Sequence, residues 1–334
     1  MKCEREKKEI IYWANILYQK GLITARSGNL SCRIGPNHIL ITRHDCYLGH
    51  LTYDDIVSVD IDGNLIAGNE SAPSSEKDLH LAVYRSLPDI QTVVHSHSPC
   101  TTAFFHYFDT LDIFSFEAKF YLGNVRVIPQ NTPTVTDIQP VVAALEANNI
   151  TVLRYHGVVA IGKEFKEAVS LLELIEEQTK VNLITKSQAV SAGLHVQETQ
   201  PILHAQRVSK TYKMLSAAHR GRLTELVNND EQAQALGKQY GLTCTLAVKN
   251  QDTDEVMRFC YEQGRIVRDD DCDDAEFVII GKPEVLKKVF NKEIDPFVAS
   301  TQGKVKTKGD FAKMSRWYPV MVRTFKLWEE APVE

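Results

Sequence analysis

The chain has 334 residues and a mass of 37.7 kDa, enough for about two domains. Its 43% hydrophobic and 24% charged residues exclude a mostly disordered chain, and no run reaches the ~18 apolar residues of a membrane span. A formal charge of −5 without basic runs argues against nucleic acid as a partner.

Met1 to Glu9 are charged and lead straight into an amphipathic pattern, so no secretory signal is read there. Residues 4–20 read as a helix: Ile10, Trp13, Ala14, Leu17 and Tyr18 fall at helical spacing, and Gly21 is a C-terminal stop. Strands follow at Leu30–Ile34, His38–Thr42 and Ile56–Ile61, separated or ended by Gly35-Pro36-Asn37 and Asp62-Gly63-Asn64, so hairpins are expected. Ser74-Ser75-Glu76 opens a helix that Pro88 stops near Leu87. Thr92–His97 is a β-branched strand, and Ser98-Pro99 starts the next helix. Then come a strand near Val125–Ile128, a helix over Asp137–Asn148, and a hairpin over Thr151–Ile161 turning at His156-Gly157. A long helix over 164–190 carries Ala168, Leu171, Leu172, Ile175 and Val181 near one face. The pattern predicts an α/β domain with a largely antiparallel sheet.

Residues 191–205, with Gly193 and Pro201, read as a linker. Beyond it, two helices fall across 205–240. Strands fall at Leu242–Val248, Glu255–Tyr261, Arg265–Arg268 and Glu276–Ile280, with a turn at Gln263-Gly264. Helices at Pro283–Phe290 and Pro296–Thr301, a strand at Lys304–Lys308 and an apolar helix over Phe311–Trp328 complete a smaller α+β unit. Domains are therefore expected at 1–195 and 205–334. The acidic run Asp269 to Asp274, interrupted by Cys272, reads either as a cation site or, the favoured reading, as a solvated loop. Seven widely spaced cysteines without a C-x-x-C argue for reduced thiols in the cytoplasm.

The most informative local motif is Val93-Val94-His95-Ser96-His97. On a strand, residues two apart share a face, so both imidazoles can meet one ion while Val94 points the other way. A coincidental surface pair fits the same spacing. Arg154-Tyr155-His156-Gly157 places a third histidine at a tight turn. Three neutral imidazoles with one open position form a catalytic zinc pattern; alternatively His156 is simply a turn residue. Glu76 lies in the first turn of a helix, either as a dipole-favoured residue or as a carboxylate that moves protons. Ser74 and Ser75 at that helix start suit either capping or anion binding.

Taken together, these residues resemble the class II aldolase/adducin family, fuculose-phosphate aldolase type, over about residues 4–190. The similarity is carried by Ser27-Gly28-Asn29-Leu30-Ser31, Leu40-Ile41-Thr42, Pro73-Ser74-Ser75-Glu76, Val93 to His97, and His156-Gly157. The resemblance implies a central, largely antiparallel sheet flanked by helices in three layers, and a homo-oligomer, typically a tetramer. It implies that His95, His97 and His156 hold a divalent ion, most often zinc, and that Glu76 is the acid/base. It further implies that Asn29, Ser74 and Ser75, with backbone around Gly28, hold a substrate phosphate. The reaction implied is making or breaking a carbon–carbon bond in a small hydroxy-carbonyl substrate, the metal acting as Lewis acid for an enediolate.

Two features depart from the family pattern. Its aldolases often continue the Leu-Ile-Thr strand with Pro-Thr-Gly, a phosphate cradle, where this chain has Arg43-His44-Asp45. An acid there repels phosphate, with Arg43 as the offsetting charge. A tyrosine that protonates the product is expected near a strand at 113–116, which here reads Ile113-Phe114-Ser115-Phe116. Related epimerases, dehydratases and decarboxylases use the same histidines, and the adducins use the fold as a scaffold. Glu at position 76 resembles the aldolases, since sugar-phosphate epimerases tend to carry Asp.

Residues from about 220 to 328 resemble the sterol carrier protein family. The carriers are Ala275–Ile280, Asn291–Phe297 and Gln302 to Asp310, with its Gly-Lys-Val-Lys-Thr-Lys-Gly-Asp ending. This resemblance implies helices over a five-stranded sheet around an apolar tunnel, hence a lipid or other apolar ligand. Phe311, Met314, Trp317, Val320, Met321, Phe325 and Trp328 form a stripe that reads first as plain core and second as tunnel lining.

Overall fold

The computed structural model describes residues 3–67, 72–130, 132, 134–191, 211–310, 314 and 316–334. The chain divides into two compact units, Met1–Glu198 and Thr199–Glu334. The linker expected over 191–205 lies outside the described residues except for Ser191. So does Phe311.

The first unit is built on eight strands: β1 (Asn29–Gly35), β2 (His38–Thr42), β3 (Ile56–Val59), β4 (Leu65–Ala67), β5 (Thr92–Ser96), β6 (Arg126–Pro129), β7 (Ile150–Arg154) and β8 (Gly157–Gly162). They lie in the order β4-β3-β2-β1-β5-β8-β7-β6, antiparallel except for β6 and β7. The helices are α1 (Glu4–Gln19), α2 (Lys77–Ser86), α3 (Pro99–Tyr107), α4 (Phe116–Leu122), α5 (Gln139–Ala147) and α6 (Phe165–Ser191).

Alternation along the strands divides the core in two. Leu30, Leu40, Val94, Val158 and Ala160 pack with Ile10, Ala14 and Leu17 of α1, Phe104 of α3 and Leu172 and Ile175 of α6. Ile39, Ile41, Val93, Val159 and Ile161 pack with Leu79 and Val83 of α2 and Val141 and Leu145 of α5. Three layers result, with α1, α3, α4 and α6 on one face and α2 and α5 on the other. Val93 and Val94 fall in different halves, so His95 shares the α2 face with Val93.

The predicted hairpins form, with small shifts. The β7–β8 turn is Tyr155-His156, and Gly157 already belongs to β8. β5 ends at Ser96, so His97 sits just beyond the strand; Pro99, which has no N–H to donate, starts α3 there. No strand forms over 113–116. The Phe114 N–H donates to Gln178 Oε1 of α6 at 2.9 Å, a bond that replaces a ladder partner, and Ser115 caps α4 through Ala118 N at 3.1 Å.

The second unit has a five-stranded sheet in the order β11-β10-β9-β12-β13, with β9 (Cys244–Asn250), β10 (Val256–Glu262), β11 (Arg265–Asp270), β12 (Phe277–Gly281) and β13 (Lys306–Lys308). β9 and β12 run parallel, and the other pairs are antiparallel. Its helices are α7 (Ala217–Asn229), α8 (Glu231–Tyr240), α9 (Pro283–Phe290), α10 (Pro296–Thr301) and α11 (Tyr318–Trp328). Within the helix expected over 311–328, Met314 and Arg316 are helical, a turn falls at Trp317, and α11 follows with Pro319 in its first turn. Trp317, Val320, Met321 and Trp328 of the apolar stripe are buried. Trp328 packs on Phe259 and Phe290 at ring distances of 5.4 and 5.8 Å, as core residues do.

The acidic run is only partly the solvated loop expected. Asp270 ends β11 and accepts two bonds from Arg258 at 2.8 and 2.7 Å, while Asp269 pairs with Arg220 at 2.8 Å. None of the seven cysteines forms a disulfide.

Candidate active site

His95 stands on β5 between β1 and β8 and is fully buried. Its Nδ1 lies 3.1 Å from the Val158 carbonyl oxygen, which only accepts, so Nδ1 carries the hydrogen. Nε2 is then left with its lone pair facing His97 Nε2 at 3.0 Å. His156 arrives from the β7–β8 turn, where Tyr155 takes φ 65° and the His156 N–H bonds to Leu153 O at 3.0 Å. The three rings lie 4.8 to 5.0 Å apart, and ligand nitrogens from all three fall within 4.8 Å of one another.

Two glycines permit this approach. A Cβ on Gly157 would sit 2.3 Å from Ser96 O and 2.9 Å from His95 Cε1. Gly28 has φ 104°, and a Cβ there would sit 2.6 Å from His95 O. Gly28, expected as phosphate-binding backbone, thus lies against the central histidine.

Glu76 sits immediately before α2 and not within its first turn as expected, and it is buried. Its Oε2 lies 3.4 Å from His95 Nε2 and its Oε1 3.1 Å from His156 Nε2. Neither Oε1 nor His156 Nε2 has a hydrogen-bond partner, because that close pair lacks hydrogen-bond geometry. Buried lone pairs left this way match what a cation would fill. The donor set is three imidazoles with an adjacent carboxylate, which suits a divalent ion such as zinc.

Burial alone would raise the Glu76 carboxyl. His95, His156 and Asn29 outweigh it and hold the carboxyl well below its usual range. Burial, with His95 and His156 adding to it, pushes His97 down to about 3. Burial also lowers His95. All three effects favour the ionised base and neutral imidazoles that ligation requires.

The remaining predicted residues are placed as follows. Asn29 on β1 is buried and donates from Nδ2 to Glu76 Oε2 at 2.9 Å. Ser74 is buried, and its Oγ accepts from Glu76 N at 3.3 Å; Ser75 is exposed. The Ser74 N–H donates to Thr42 O at 3.0 Å, tying this segment to the end of β2. Just beyond, Asp45 takes φ 61° and its Oδ1 accepts from Arg26 Nη1 at 2.8 Å. Arg43 instead pairs with Asp55 at 2.6 Å. Arg26, not Arg43, is therefore the charge that offsets Asp45.

Three residues to which the sequence assigned no site role complete the surroundings. His80 and Tyr84 of α2 and Ser31 of β1 are buried in a polar row behind Asn29. The signal was present: Glu76, His80 and Tyr84 recur every four residues, and Asn29 and Ser31 lie two apart on a strand.

The fold is that of a class II aldolase-type domain, and His95, His97 and His156 form a possible metal site in it. Residues 8–183 match the family described as Class II Aldolase and Adducin N-terminal domain, and the chain belongs to that family. Residues 222–321 match the SCP-2 sterol transfer family. An L-fuculose phosphate aldolase of Methanocaldococcus jannaschii is 31% identical over 179 residues, covering 54% of this chain and 96% of that protein. A 3-oxo-tetronate 4-phosphate decarboxylase of Escherichia coli is 32% identical over 184 residues, covering 53% and 86%. The crystal structure of l-fuculose-1-phosphate aldolase from Thermus thermophilus aligns with TM-score 0.50 and 27% identity, covering 57% of this chain and 97% of that one. Among the described residues, no helix is long and apolar enough to cross a membrane.

Proposed function

We propose that residues 1–195 form a metal-dependent lyase of the aldolase type, acting on a small hydroxy-carbonyl substrate of sugar-phosphate character. The observation that supports this best is the position of Glu76, whose two oxygens lie 3.1 and 3.4 Å from His156 and His95. His95, His97 and His156 hold a divalent ion, zinc in this reading. When bound, such an ion supplies Lewis-acid stabilisation of charge developing on a carbonyl oxygen. Glu76 takes the proton from the reacting carbon or hydroxyl and returns it, as its ionised state allows. Asn29 orients that carboxylate. Gly28 backbone, Asn29, Ser74 and Ser75 receive the phosphate end.

A second reading, decarboxylation of a keto-acid phosphate on the same residues, is favoured by the E. coli relative and by the absence of tyrosine from 113–116. We assign the protein to the cytoplasm as a homo-oligomer, a tetramer by family resemblance. Residues 205–334 form a sterol-carrier-like domain that binds an apolar ligand.

Product analysis tests the reaction. The chain is loaded with zinc, manganese or cobalt and given ketose phosphates and keto-acid phosphates. A new aldehyde supports the aldolase reading, carbon dioxide the decarboxylase. Neither product with any metal overturns both.

A further inference from the structure

Behind Glu76 the buried polar row forms a continuous chain of hydrogen bonds. Asn29 Nδ2 lies 2.9 Å from Glu76 Oε2, and Asn29 Oδ1 lies 2.5 Å from His80 Nε2. His80 Nδ1 lies 2.6 Å from Ser31 Oγ, which is 2.8 Å from the Tyr84 hydroxyl. His80 and Ser31 are fully buried, Tyr84 nearly so, and Asn29 is 5% exposed.

The direction of every hydrogen follows from the carboxylate. An ionised Glu76 only accepts, so Asn29 turns its NH2 toward it and its oxygen toward His80. His80 Nε2 must then donate, which leaves Nδ1 as an acceptor. Ser31 gives its hydroxyl hydrogen to Nδ1 and therefore accepts from Tyr84. Tyr84 has a competing acceptor in Gln91 O, but at 3.5 Å. Four hydrogen bonds point one way, ending on Glu76.

Four side chains with buried polar atoms are a poor way to fill a core, since apolar residues of the same shape serve stability equally well. What they supply is orientation. The carboxylate decides which end of the amide faces it, and a donor to Asn29 Oδ1 on the far side holds that amide in place. We infer that His80 is a positioning residue: its Nε2–H fixes the Asn29 amide, and that amide holds the Glu76 carboxylate where it faces His95 and His156. The role rests on Glu76 acting as proposed above, but the geometry of the chain does not.

The test uses the full-length protein with 15N-labelled histidine, and His80 is assigned by comparison with His80→Gln. Imidazole 15N–1H correlation spectra are expected to show His80 as the neutral Nε2–H tautomer from pH 5 to 8. An Nδ1–H tautomer, tautomer exchange or an imidazolium overturns the inference. Two further measurements separate positioning from packing. His80→Gln can donate to Asn29 and accept from Ser31; His80→Phe can do neither. In cobalt-loaded protein, the visible spectrum should be unchanged in His80→Gln and altered in His80→Phe. With a substrate found by product analysis, His80→Phe should lower kcat about 10–100-fold with little change in KM, and His80→Gln should restore most of it. A His80→Phe protein with normal cobalt spectrum and kcat reduces His80 to core packing. Should His80→Phe not fold, Ser31→Ala takes its place, with a smaller loss expected and no effect overturning the inference. Failure to take up any divalent ion sinks the lyase reading instead, while the His80 tautomer still decides the direction of the hydrogen-bond chain.

Discussion

Asn29 and Glu76 are 47 residues apart in sequence and 2.9 Å apart in the fold, the amide of one strand donating to the carboxylate that precedes α2. The contact leaves Glu76 Oε1 directed at His156 and Oε2 shared between Asn29 and His95. Glu76→Gln keeps the side-chain shape but removes the proposed base. Activity is expected to fall about 10²–10⁴-fold with metal uptake retained. Metal content and turnover measured on one preparation check this; an active Glu76→Gln enzyme refutes the role.

Purified wild type is expected to carry roughly one divalent ion per chain, as three imidazoles with an open position do. The double variant His95→Ala/His97→Ala should carry none. Mass spectrometry of metal content decides this. Equal content in both proteins would place the ion elsewhere.

Gly157→Ala puts a methyl group 2.3 Å from a backbone oxygen of the neighbouring strand. Backbone cannot step aside as a side-chain end can, so β8 must shift from β5. A loss of about 1–3 kcal/mol in stability is expected, typical of forced overpacking. His156 moves with the strand, so metal affinity should fall as well. A melt and a zinc titration measure the two effects, and unchanged values for both would contradict the packing described.

Burial pushes His80 down to about 3 from its ordinary 6.5. The unfolded chain therefore takes up this proton first as the pH falls. The stability tied to neutral His80 is complete above about 6.5. It is lost progressively between there and 3. Urea midpoints between pH 7.5 and 4.5 should drop more steeply in wild type than in His80→Gln. Parallel curves would show that His80 has no part in the acid sensitivity.

Asp45→Gly removes a carboxylate from a left-handed position that glycine adopts freely. It also frees Arg26, its 2.8 Å partner. Affinity for a sugar phosphate is expected to rise about fivefold, the effect of ~1 kcal/mol from one exposed like charge. Titration with an inert sugar phosphate measures it. A drop in affinity would mean that Asp45 itself contacts the ligand.

The sheet, its hairpins and the three histidines were legible because each rests on local patterning. Val93 to His97 alternates across a strand, and the turn before Gly157 carries its own signal. Other features depend on partners far along the chain. His80 reads as one more residue of an amphipathic helix until Asn29 is beside it. Arg26 and Asp45 are 19 residues apart, and adjacency in sequence pointed to Arg43 instead. α4 spans seven residues, too few for a helical period to stand out, and Gln178 of α6 sets the path of the backbone before it.

The pairing of β5 with β1 and β8 has a consequence for assembly of the protein. Asn29 is paired with His95 in one ladder and Val159 with His95 in the other. A slip of one residue in β5 would send His95 to the α6 side of the sheet and bring Val94 to Glu76. Such a chain could still bury its valines, since both faces of β5 accept them, yet it would lose the cluster of three histidines. Capture of the proposed ion would discriminate between alignments that hydrophobic burial alone treats nearly alike, and a divalent ion supplied during refolding should enrich the correctly aligned molecules.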